Sequence, residues 1–110
     1  MGLIAELLNQ RKTFQQVALL VGEISPPCQA DVWERVRERV FDMDLTEARG
    51  YVRARAVKVV RRQVAARLPR HPQLDAHAVQ QLKALVTERV AQRILADLLA
   101  GGAAARRPAA

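Results

Sequence analysis

Residues 22–28 read GEISPPC, and the reading of that stretch sets how many helices the chain is expected to have. Gly22 can close a helix C-terminus, and two consecutive prolines lack the N–H donors that an α-helix needs in its interior. The same prolines have φ already set for the first turn of a following helix. The stretch is therefore expected to stop one helix and start another.

Upstream, Leu3, Ile4, Leu7 and Leu8 give residues 2–10 one apolar side. Thr13 and Gln16 have the spacing of a capping box, so a second start is expected there, with Phe14, Val17, Leu20 and Val21 on its apolar stripe. Residues 2–21 thus read as one helix, or as two if Asn9 to Lys12 breaks them.

Downstream, a helix is expected from Pro27 to Asp42, with Val32, Trp33, Val36 and Val40 inward. Asp31, Glu34, Glu38 and Asp42 recur at helical steps and would stack four carboxylates along one line, flanked by Arg35, Arg37 and Arg39. Asp44 or Thr46 can cap the next helix, expected over Thr46 to Leu68 and about 34 Å long. Its apolar arc holds Ala48, Val52, Ala56, Val59, Val60, Val64 and Leu68. Gly50 near its start suggests close approach by another backbone. Asp75 is a natural cap for a last helix over Ala76 to Leu99, with Val79, Leu82, Val86, Val90, Ile94 and Leu98 inward and Gly101 and Gly102 as its stop.

The expected fold class is all-α: a bundle of four helices, or five if the first is broken, joined by short Pro-containing turns. At 110 residues the chain is one domain's worth, so residues 1–100 are expected to form the domain and 101–110 a flexible low-complexity tail. Cys28 is the sole cysteine, which rules out an intrachain disulfide framework and makes a reducing, cytoplasmic setting the expectation. The longest apolar run, Val17 to Val21, is far too short to span a bilayer, and no secretory or myristoylation signal is recognisable.

The formal charge of +7 is unevenly placed. Residues 1–47 carry five basic and eight acidic groups, whereas residues 48–74 carry eight basic and none acidic. Arg49, Tyr51, Arg55, Lys58, Arg61, Arg62 and Arg70 form the candidate surface for an anionic partner, and Asp31, Glu34, Glu38 and Asp42 its candidate internal counter-stripe. Arg49, Arg53 and Arg67 flank the apolar arc, where their stems can cover core while their guanidinium groups reach for carboxylates.

Catalytic and metal chemistry find little support. His71, Asp75 and His77 would need a third strong ligand, for which Cys28 is the one distant candidate. No phosphate loop, nucleophile set or paired-carboxylate cleft is visible, so no enzyme activity, cofactor or small-molecule ligand is expected. Leu85, Leu95 and Leu99 fall outside the last helix's narrow stripe, and with the Leu3–Ile4 and Leu7–Leu8 pairs they exceed what one partner helix covers. The expected function is a non-enzymatic interaction or oligomerisation module whose partner is a second copy or another protein. The alternative is a small basic protein that grips a nucleic-acid backbone without sequence specificity, using the same helix and the Arg106–Arg107 tail.

Overall fold

The structure, a computed structural model, describes residues 2–105 and is all-α. Three long helices account for nearly all of it: α1 over Gly2–Val36, α2 over Leu45–Arg67 and α3 over Ala76–Ala105. Short 3-10 turns at Val40–Asp42 and Leu68–Arg70 lie in the two connections. The helices run up, down and up, so α1 and α3 are parallel and α2 is antiparallel to both. The Tyr51 hydroxyl meets the Arg35 carbonyl between α1 and α2, and Arg53 pairs with Glu88 between α2 and α3. The result is a rod of 68 × 24 × 21 Å.

The expected count of four or five helices is corrected to three, because GEISPPC does not break the chain. α1 continues through Pro26 and Pro27. Each proline removes a hydrogen bond to the carbonyl four residues back, at Gly22 and Glu23. All four of these residues are exposed, so water can satisfy the freed carbonyls. On the inward side Val17, Leu20, Val21 and Ile24 precede the prolines and Cys28, Val32 and Val36 follow them, all buried. Burying a Val or Leu side chain is worth about 1.5–3 kcal/mol, so packing on both sides outweighs a local cost of about 3 kcal/mol per proline.

Two further boundaries differ from expectation, and so does the setting of Gly50. α1 ends at Val36, well before Asp42; Arg37 and Arg39 turn back onto the Trp33 and Val36 carbonyls, and buried Val40 anchors the turn. α3 continues through Gly101 and Gly102, because a helical glycine costs only about 1 kcal/mol and the alanines that follow are the best helix formers. Residues 106–110, with Arg106 and Arg107, lie outside the described residues. Gly50 marks no close approach: a Cβ built there meets nothing within 4 Å.

The helix starts follow their local signals. Asp44 caps α2 by accepting from the Glu47 amide at 2.8 Å, and Asp75 accepts from the Ala78 amide at 2.8 Å at the head of α3. Between them α2 buries Ala48, Val52, Ala56, Val59, Val60 and Val64, and α3 buries Ala78, Leu82, Val86, Val90, Ala91 and Ile94. Small, β-branched side chains let the three helices approach closely around one seam. No described helix is long and apolar enough to cross a membrane.

Candidate functional site

Three of the surfaces outside the core bear on function: a basic face on α2, an apolar arm at the start of α1, and a groove where α1 and α3 end.

The basic face stands apart from the acidic residues of α1. Asp31 accepts from Arg35 Nε at 3.1 Å and Glu34 lies 3.8 Å from Arg37 Nε, so both are answered by arginines of their own segment. Glu38 falls in the turn after α1 and Asp42 in the 3-10 turn, so the helix that would have aligned all four ends between Glu34 and Glu38. Among the described residues no ion pair within 4.0 Å joins any of these four to Arg49, Arg55, Lys58, Arg61, Arg62 or Arg70.

Exposure divides the face into two parts. Arg49, Lys58, Arg61, Arg62 and Arg70 are exposed, while Tyr51 and Arg55 are half-buried. The Tyr51 hydroxyl donates to the Arg35 carbonyl at 3.4 Å, and the Arg55 guanidinium sits 5.4 Å from the centre of its ring. That cation–π contact makes Tyr51 a strut between α1 and α2, with one face already covered. Of the arginines beside the apolar arc, Arg53 reaches Glu88 on α3, and Arg67 donates to the Gln63 carbonyl at 3.1 Å and to its Oε1 at 2.7 Å.

The arm is the first part of α1. Residues 2–16 contribute no buried side chain, a length of about 22 Å at 1.5 Å per residue. Leu3, Ile4, Leu7 and Leu8 are 76, 74, 60 and 53% exposed. Phe14, expected on the inward stripe, is also exposed. Phe14 keeps the phase of the buried line that Val17, Val21 and Ile24 continue, so its exposure means that packing along α1 begins at Val17 and leaves the arm bare.

The groove lies at the far end of the rod. Pro26, Ala30 and Trp33 of α1, Phe41 of the 3-10 turn and Ile94 and Leu98 of α3 line a space of about 530 Å³. Trp33 and Phe41 meet edge to face with ring centres 6.1 Å apart and planes at 89°. Two polar side chains stand in it, Gln29 and Asp97, joined by a 3.5 Å hydrogen bond from Gln29 Nε2 to Asp97 Oδ2. Asp97 takes part in no ion pair among the described residues. This groove had no signal in the sequence, because its walls come from segments more than 50 residues apart.

The titratable groups considered for catalysis remain separate. His71 is half-buried in the α2–α3 connection and His77 is exposed on α3, while Cys28 is fully buried inside α1. Burial pushes the Cys28 thiol up to about 11, against a smaller lowering by Arg67. Glu47 is also raised, by its hydrogen bond to the Asp44 side chain and by that carboxylate's charge. Among the described residues no three His, Cys, Asp or Glu side chains come together to hold a metal ion. Comparison with protein-family models, curated proteins and solved structures finds no match to this chain.

Proposed function

We propose that this chain is a non-enzymatic helical interaction module of the cytoplasm that associates with further copies of itself, with the α2 cations turned to acidic surfaces in the assembly. The observation that carries this reading is the arm: four large aliphatic side chains, each more than half exposed, on a helix segment that buries no apolar side chain over residues 2–16. A contiguous exposed apolar patch on a small chain favours a protein partner over water. Size-exclusion chromatography with light scattering, run over a range of protein concentrations, is the test. Species larger than a monomer that grow with concentration support the reading, and a monomer at every concentration refutes it.

A second reading has its own observation. Arg55, Lys58, Arg61 and Arg62 make no ion pair among the described residues, which leaves cations on one helix for a phosphate backbone. Binding of this kind would weaken steeply with log salt and would be indifferent to sequence. Titration of nuclease-treated protein against random-sequence DNA and RNA duplexes across a salt series tests it. Absence of binding even at low salt removes this reading.

A further inference from the structure

The arm and the groove fit one another, and we propose that they do so between molecules: the arm of one copy seats in the α1–α3 groove of the next, head to tail. The inference rests on the self-association reading above and names its two surfaces. Leu3 with Leu7 and Ile4 with Leu8 are four-residue pairs, so the arm offers two short aliphatic rows along one side of a helix. The α1 wall of the groove, Pro26 to Trp33, is about 10 Å long, against about 8 Å from Leu3 to Leu8. An amphipathic helix laid between two parallel helices is a familiar helix-in-groove contact.

Charge complements the apolar fit. Arg11 and Lys12 follow Leu7 and Leu8 by one turn on the same rows, and both are exposed and free of ion pairs among the described residues. Asp97 at the groove has Gln29 as its hydrogen-bond partner and no cation. One cation from the arm therefore has a carboxylate to meet.

A chain cannot fill its own groove. Arm and groove wall belong to one unbroken helix, and residue 5 stands about 37 Å along it from residue 30. The proposed contact runs one way, from the arm of one copy into the groove of the next, so it extends to rings or filaments; two antiparallel copies exchanging arms would close at a dimer, and a wild type that stops at a dimer overturns the head-to-tail order.

The experiment uses the full chain and four exposed positions, two on the arm and two at the groove. Leu7→Gln with Leu8→Gln spoils the arm, and Ala30→Arg fills the groove; Asp97→Lys is a second groove variant that removes nothing from the core. Circular dichroism checks that each variant keeps its helices. Light scattering is expected to show wild type growing beyond a dimer, each variant alone as a monomer, and an equal mixture of arm and groove variants as a one-to-one pair and nothing larger. Trp33, the sole tryptophan, reports seating directly: its emission moves to shorter wavelength when an intact arm is added to an intact groove.

Groove variants that associate like wild type overturn the head-to-tail contact and leave self-association standing, because two arms are then pairing with each other. A mixture that stays monomeric also overturns it. Wild type that is monomeric at every concentration overturns both proposals.

Discussion

Replacing Pro26 and Pro27 together by alanine tests the three-helix architecture at the residues on which it turns. In a continuous α1 both occupy interior positions, where proline costs about 3 kcal/mol relative to alanine. Two effects reduce the gain from removing it. The carbonyls of Gly22 and Glu23 are on an exposed side, where water already supplies part of the missing hydrogen bond. Alanine also loosens the unfolded chain, returning about 0.4–1 kcal/mol per site. The net expectation is a stabilisation of about 2 kcal/mol per site, or about 4 kcal/mol for the pair. With an unfolding entropy near 2.1 cal/mol/K per residue, each kcal/mol moves the midpoint of a chain this size by about 4 °C, so Tm should rise by about 15 °C. Thermal and urea unfolding followed by far-UV circular dichroism give the measurement, at several protein concentrations because self-association also shifts Tm. A lowered Tm would refute the reasoning, since prolines that open a second helix would be stabilising where they stand.

The other expectations are smaller. Gly50→Ala, at an exposed helical position with open space around it, should stabilise by up to about 1 kcal/mol in urea unfolding; destabilisation would reveal a neighbour at that site. Ser25 is fully buried and its hydroxyl finds no hydrogen-bond partner among the described residues, so Ser25→Ala should stabilise by about 1 kcal/mol, and a loss of that size would mean the hydroxyl is satisfied. The Cys28 thiol should resist alkylation in the folded protein and react on unfolding. Its folded pKa of about 11 stands above the ordinary 9.0, so between those values the unfolded chain releases a proton that the folded one keeps. Stability should therefore fall as pH rises through that window, and Cys28→Ala should flatten the fall; an unchanged profile would place the titration elsewhere.

Local chemistry accounts for most of what was legible in advance. Asp44 and Asp75 cap the helices that follow them, because a cap needs only a carboxylate and an amide three residues on. The apolar periods of α2 and α3 pick out Val52, Val59, Val60, Val64, Leu82, Val86, Val90 and Ile94, all buried, since a helix can turn only one side to a core. The surplus of Leu3, Ile4, Leu7 and Leu8 was also visible, and these residues are exposed; of the three leucines outside the α3 stripe, Leu85 and Leu99 are exposed and Leu95 is half-buried. The acidic line was misread because nothing between Glu34 and Glu38 signals a turn: no Gly or Pro stands there, and the turn is held by Val40 packing inward.

By itself, then, the sequence determined the helical class, the inward faces, the caps and the concentration of positive charge on α2. These depend on spacing along one segment and on groups a few residues apart. Tertiary structure decided that Pro26 and Pro27 do not divide the chain, that α1 ends at Val36, that the α2 cations stay unpaired with the α1 carboxylates, and that Trp33, Phe41 and Leu98 meet in a groove. Each of those outcomes sums contacts from residues far apart in the chain, and about 3 kcal/mol of local proline penalty is small beside a core packed along both halves of the same helix.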